Sequence, residues 1–273
     1  MPNGYWGKVL RVNLTTGKIS VDEYDWKWYR KYLGGWGLVA YTLLKEVPGD
    51  ADPLGPANKL VFAPGLLTGT PLGGSGRNAV GAKSPLTGGF GESDVGGFWG
   101  AELKLAGWDG VIVEGQSETP VYLWIKDDQV EIRDAGQLWG KKTGDVQRMI
   151  QEELGDRRIR VTQIGPAGEN LALNACVLND INHAAGRCGL GAVMGAKKLR
   201  AIATRGTRKV PVADPEHFKA RNAFIRQEIK TSPLTSHLHK YGRTGFTKGQ
   251  DEGGGLPTRN FRQGQFDGVD KIE

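Results

Sequence analysis

The chain has 273 residues, 38% of them hydrophobic, enough to build a full core in one large domain or one domain and part of another. Its 42 glycines are roughly twice the usual ~7% share, but they fall in separate clusters between apolar runs, which excludes a collagen-like or low-complexity chain. Lys and Arg outnumber Asp and Glu by 36 to 30, giving +6, yet they are scattered without a basic block, which argues against a nucleic-acid partner and for acidic small ligands or plain solubility.

In chain order, Val9 to Leu14 alternates, turns at Thr15-Thr16-Gly17-Lys18 and resumes at Ile19-Ser20-Val21, predicting a β-hairpin. Trp26 to Leu33 predicts a short aromatic helix ended by Gly34-Gly35, and Leu38 to Val47 a second helix stopped by Pro48. Lys59 to Ala63 is a buried strand leading into a glycine stretch. Glu102 to Ala106 is a short helix closed at Gly107, followed by strands at Gly110–Gly115, Val121–Ile125 and Val130–Arg133. Thr143 to Leu154 is a helix with Gly155 as its stop, and Arg160 to Ile164 is a strand. Asp214-Pro215 opens a charged helix over His217 to Lys230, with Asp214 as N-cap. Residues 244–273 carry no pattern that selects helix or strand.

Two glycine stretches dominate. The first runs from Gly73-Gly74-Ser75-Gly76-Arg77 to Asp94-Val95-Gly96-Gly97-Phe98-Trp99-Gly100; the second is Asn182-His183-Ala184-Ala185-Gly186-Arg187-Cys188-Gly189-Leu190-Gly191. Each combines side-chain-free backbone with an arginine, a pairing suited to phosphate. The segments that follow also correspond: Gly100-Ala101-Glu102-Leu103-Lys104 with Gly195-Ala196-Lys197-Lys198-Leu199, and Val111-Ile112-Val113 with Ala201-Ile202-Ala203. This predicts an internal duplication with pseudo-twofold symmetry that brings the two stretches together around one ligand with two phosphates or two ligands side by side.

Arg77 and Arg187 are the sharpest ligand candidates, because little packing surrounds an arginine in a glycine loop. Asp94 is either an Asx-turn residue or the donor of a backbone carbonyl to a divalent ion between phosphates. No nucleophile–base pair stands out: Ser75, Ser84 and Ser93 lack the G-x-S-x-G setting and read as turn residues. His237 and His239, two apart on a helix, are expected in solvent and make no metal set with His183 and His217. Cys176 and Cys188 have no C-x-x-C spacing and are expected reduced, one in a core strand and one in a loop. No signal peptide precedes Trp6 and no apolar run nears the ~18 residues of a membrane span, so a cytoplasmic chain without a membrane partner is expected.

Several longer motifs carry a resemblance. They are Trp6-Gly7-Lys8 with Arg11-Val12-Asn13-Leu14-Thr15-Thr16-Gly17, Leu67-Thr68-Gly69-Thr70, Lys83-Ser84-Pro85-Leu86-Thr87-Gly88, Gly100 to Lys104, Ile164-Gly165-Pro166-Ala167-Gly168-Glu169-Asn170, Ala184-Ala185-Gly186-Arg187 and Gly191 to Gly195. With these, residues 4 to about 210 resemble the N-terminal domain of the tungsten- or molybdenum-dependent aldehyde ferredoxin oxidoreductases. The resemblance implies an α+β fold of two related β-sheets with short helices over residues 1–211, followed at 212–273 by the incomplete start of an α-helical domain. It implies two metallopterins (tungstopterin or molybdopterin) whose phosphates are bridged by magnesium. Arg77 and Gly96 would contact one pterin and Ala184 and Gly186 the other, and the carbonyls of Asp94 and Ala184 would face magnesium. Asp94 stands where asparagine is common, a change a carbonyl ligand tolerates. His183 stands where arginine is common, leaving Arg187 or a protonated His183 to serve the second phosphate.

The resemblance further implies aldehyde oxidation to a carboxylic acid, with electrons passing through a [4Fe–4S] cluster to ferredoxin. The cluster's C-x-x-C-x-x-x-C run belongs to later helical domains, missing here or on a separate chain, and neither Cys176 nor Cys188 fits it. No catalytic residue is therefore assigned in this chain, which would hold part of a cofactor without turning over; a homodimer is compatible with the family. The rival readings are the tungsten subunit of a benzoyl-CoA reductase-like enzyme and a non-catalytic pterin-binding or assembly subunit of a split enzyme.

Overall fold

A computed structural model describes residues 3–272. They divide into two compact units, Met1–Ala213 and Asp214–Glu273.

In the first unit, β1 (Lys8–Asn13) and β2 (Ile19–Glu23) make the predicted hairpin, with Val12 opposite Ile19. Helix α1 (Trp26–Tyr32) starts at Asp25, whose carboxylate accepts the Trp28 amide at 2.9 Å. It is closed by Leu33 in the left-handed region (φ 61°), one residue before the predicted glycine stop. Then follow α2 (Trp36–Glu46), β3 (Leu60–Pro64), β4 (Asn78–Lys83), β5 (Phe90–Val95), α3 (Trp99–Leu105) and β6 (Gly110–Glu114). The second half runs β7 (Val121–Lys126), β8 (Gln129–Asp134), α4 (Thr143–Glu153), β9 (Arg160–Gln163), α5 (Pro166–Glu169), β10 (Val177–Asn179), β11 (His183–Ala185), α6 (Leu190–Ala196) and β12 (Leu199–Arg205).

The strands form two six-stranded mixed sheets, ordered β2-β1-β6-β3-β4-β5 and β11-β10-β9-β12-β7-β8. Reading the first sheet from β5, the orders are identical once β1 to β6 are matched with β7 to β12. The strand directions match as well, with one parallel pair in each sheet, β1 with β6 and β7 with β12. The duplication is therefore real, but its register differs from the one expected. Gly100-Ala101 in the first turn of α3 corresponds to Gly191-Ala192 in the first turn of α6, not to Gly195-Ala196. Short Gly-Ala steps occur at both ends of α6, and sequence alone selected the wrong one.

Alternation assigns the faces. Leu10, Val12, Leu60 and Phe62 join Leu123, Ile125, Val177 and Ile202 in one core shared by both sheets. Val9, Val61 and Ala63 point the other way and are covered by Leu38, Val39 and Leu43 of α2. Tyr122, Val161 and Ala203 are covered likewise by Val146 and Ile150 of α4. Trp99 of α3 crosses between halves and donates its indole N–H to the Ile202 carbonyl at 3.0 Å.

On the outer face, Arg11 bridges Asp22 (2.6 Å), Glu46 (2.8 Å) and Glu114 (3.1 Å), while Lys59 pairs with Glu46 and Glu114. Burial pushes the Glu46 and Glu114 carboxyls up, but hydrogen bonds and charge from Arg11 and Lys59 outweigh it and hold both below the usual 4.5. A carboxyl lowered in the folded state contributes fully above its unfolded pKa and loses that contribution as pH falls through the folded one. Denaturant titrations should therefore show stability falling below about pH 4.5, and Arg11→Met should cost about 2 kcal/mol at neutral pH while flattening that acid limb. An unchanged acid limb would refute the assignment.

The second unit is helical: α7 (Pro215–Thr231), α8 (Pro233–Tyr241) and α9 (Thr247–Glu252). Asp214 caps α7 as expected, accepting the His217 amide at 2.9 Å. His237 corrects its expectation: Nε2 lies 2.8 Å from the Gly245 carbonyl, and the ring packs 5.0 Å from those of Tyr241 and Phe246. His239 is exposed. Among the described residues no helix is long and apolar enough to cross a membrane.

Candidate functional site

The glycine stretches read from sequence as loops carry strands: the first contains the antiparallel hairpin β4–β5, and the second contains β11, which pairs with β10 just ahead of it. Small residues hide both. At Gly81 in β4 a Cβ would meet Val39 Cγ1 at 2.2 Å, so glycine here serves helix packing rather than a turn. β5 and β11 end their sheets and lie side by side where the halves meet. An edge strand leaves part of its N–H and C=O groups unpaired, so two such edges make a polar, main-chain-lined cleft.

The cleft has a volume of about 640 Å³ and is lined by Trp36, Phe90, Glu92, Ser93, Asp94, Ala184, Gly186, Arg187 and Cys188. Asp94 and Ala184 occupy matching places: each lies one residue before the end of its edge strand, paired with Ala79 and Leu178 respectively. Gly96 and Gly186 follow the two strands. Asp94 sits in β5 and its carboxylate accepts the Trp36 indole N–H at 3.1 Å, which removes the Asx-turn reading.

Gly96 packs on His183, whose Cδ2 would lie 3.0 Å from a Cβ at residue 96. Arg77 comes immediately before β4, where Asn78 pairs with Val95, so Gly96 is its neighbour across the hairpin. Its carbonyl accepts the Thr68 hydroxyl at 2.8 Å. Arg77 lines a separate pocket of about 580 Å³ with Leu33, Gly65, Thr68 and Gly74. The structure thus gathers Asp94, Ala184, Gly186 and Arg187 in one cleft, sets Gly96 against His183, and places Arg77 beside Gly96 in a different pocket.

Trp36 and Glu92 were missed from sequence. The alternation Phe90, Glu92, Asp94 along β5 was the available signal, but it required recognising a strand. Burial, then the nearby Asp94 charge, raises the Glu92 carboxyl to about 7, so near neutrality it sheds part of its negative charge. Cys176 lies just ahead of β10, partly buried, not inside a core strand as expected.

These groups fit a magnesium-bridged pair of phosphates. Neither Arg77 nor Arg187 has a carboxylate within salt-bridge distance among the described residues. Glu92 Oε1 and His183 Nδ1 are buried without a hydrogen-bond partner. A Cβ at Gly186 would meet nothing within 4 Å, so that backbone is open to close approach. The Glu92 and Asp94 carboxyls would repel bare phosphates, and a divalent cation between them reconciles the charges.

Residues 9–206 match the family model described as the aldehyde ferredoxin oxidoreductase N-terminal domain. The chain belongs to the aldehyde ferredoxin oxidoreductase family. It is 49% identical over 265 residues to the tungsten-containing aldehyde ferredoxin oxidoreductase of Thermococcus kodakarensis, covering 97% of this chain and 44% of that protein. Against the Pyrococcus furiosus enzyme of the same description it is 46% identical over 264 residues, with 96% and 44% covered. Among solved structures, the active site complex BamBC of benzoyl coenzyme A reductase with 1,5-dienoyl-CoA matches with a TM-score of 0.82 at 42% identity. That match covers 84% of this chain and 35% of that one. The chain thus spans less than half the length of these family members.

Proposed function

We propose that this chain is the pterin-holding base of a tungsten-dependent oxidoreductase that oxidises aldehydes to carboxylic acids and delivers electrons, through a [4Fe–4S] cluster held elsewhere, to ferredoxin. The observation that carries the reading is the cleft between the two matched edge strands, which presents their main chain together with the Arg187 guanidinium. The metallopterin supplies the two-electron chemistry. This chain's part is to bind and orient. The carbonyls of Asp94 and Ala184 would face magnesium, the backbone at Gly96 and Gly186 would admit the phosphates, and Arg77 and Arg187 would neutralise them.

In the complete enzyme, Arg77→Ala combined with Arg187→Ala should lower pterin and tungsten content at least tenfold, measured by pterin fluorescence and elemental analysis, with little change in thermal stability. Full loading of the folded double variant would refute the assignment.

The 42% identity to the benzoyl-CoA reductase complex favours a second reading, a reductase subunit acting on an aromatic CoA thioester. Turnover of the complete enzyme decides: viologen reduction with aldehydes supports the first reading, and dye-coupled oxidation of a dienoyl-CoA supports the second.

A further inference from the structure

Aromatic rings line another cavity of the first unit, which shares no lining residue with the cleft. It has a volume of about 520 Å³. Tyr5 and Trp6 line it from the segment ahead of β1, and Glu23, Tyr24, Asp25 and Trp26 from the end of β2 and the start of α1. The Tyr24 amide donates to the Gly7 carbonyl at 2.9 Å and ties the two walls together. Three of the four rings are held in place by their surroundings. Tyr5 stacks on Tyr29 at 4.0 Å, Tyr24 stacks on Trp28 at 4.4 Å, and the Trp6 indole N–H donates to the Lys104 carbonyl at 2.7 Å. Trp26, the first residue of α1, is 62% exposed and has no ring or side-chain hydrogen-bond partner among the described residues. Packing does not account for it.

The charge set among these rings is negative. Glu23 and Asp25 contribute two carboxylates and Lys8 one ammonium; Lys8 faces Glu23 in the β1–β2 register, yet the two form no ion pair. The wall already attracts a cation, because the Arg208 guanidinium lies over the Trp6 ring at 6.0 Å. An anion would meet both the carboxylates and the negative faces of the rings. A bare metal ion would find too few ligands, since among the described residues no group of three His, Cys, Asp or Glu could hold one. A large, weakly hydrated cation suits the lining: its carbon surface packs on the rings while its charge faces the carboxylates. We infer that this cavity binds an organic ammonium ion, carried by a free solute or by a side chain of another polypeptide. The inference does not depend on the pterin reading.

Calorimetric titration of the complete enzyme at constant ionic strength tests it, with choline as the probe and its uncharged carbon analogue, dimethylbutanol, as the comparison. Choline should bind saturably in the millimolar range or below, and the alcohol about tenfold more weakly, because it lacks the charge on which the ring faces act. Trp26→Leu should weaken choline binding about tenfold and Glu23→Gln about threefold. Both side chains are exposed, so pterin content and denaturation midpoint should stay at wild-type values in each variant. A blocked trimethyl-lysine separates the two sources: tighter binding than choline assigns the ammonium to a neighbouring polypeptide, and no tighter binding assigns it to a free solute. Equal binding of choline and the alcohol would make the cavity merely apolar and overturn the inference. So would a choline affinity unchanged in both variants, or a wild-type enzyme that takes up no choline.

Discussion

Gly186→Val should leave the fold intact and empty the site. Residue 186 lines the cleft, its φ lies outside the left-handed region, and an added Cβ meets no atom within 4 Å. Nothing in the folded protein opposes the larger side chain, so the denaturation midpoint should match wild type to within about 0.5 kcal/mol. On the proposed pterin-binding reading, the isopropyl group would displace a phosphate. Main-chain N–H groups hold an anion only at about 2.9 Å, and each charge-assisted bond is worth roughly 1.5–3 kcal/mol. Losing one or two of them should cut pterin content more than tenfold in fluorescence assays of the purified complete enzyme. Normal loading in a folded Gly186→Val protein would show that the cleft is not where the phosphates sit.

Gly195→Ala should do the reverse and damage the fold first. Helices α5 and α6 cross through glycine. A Cβ on Gly195 would stand 1.9 Å from the Gly168 carbonyl oxygen, and one on Gly191 would stand 2.5 Å from the Cys176 carbonyl. These obstacles are backbone, which cannot rotate away, so the helices must part. Overpacking of this kind costs about 3 kcal/mol or more, which urea titration of the variant should register as a clear fall in midpoint. Because α6 begins directly after the 186–189 turn, cofactor retention should fail together with stability. A midpoint unchanged from wild type would refute the close crossing of α5 and α6.

The contrast between these glycines shows what the sequence made legible. Elements with strong alternation or strong punctuation were readable: the β1–β2 hairpin, β3, β6, the Asp214 cap and the gross duplication. The hairpins inside the glycine stretches were not. Strand propensity is a statement about side chains, and Asn78 to Lys83 carries almost none, with Ala79, Gly81 and Ala82 in six positions. Packing against α2 makes that segment a strand, and packing is non-local. Reading it as a loop also concealed Glu92, which shares a face with Asp94 only in a strand. Arg77 and Arg187 drew notice because bare backbone surrounds them, and Asp94 because it precedes Gly96-Gly97, whereas Ala184 and Gly186 gained roles only through family resemblance.

Placing β5 beside β11 has a consequence for self-association. Four strand edges would otherwise offer templates to neighbouring molecules, and the inner two are turned toward one another at the seam. Among the described residues, β2 and β8 are the other two sheet ends. Both are short, and they carry Asp22 and Glu23 on one, and Glu131, Arg133 and Asp134 on the other. Charged outer rims of this kind discourage sheet-to-sheet docking, while the inner edges face one another instead of other copies of the chain.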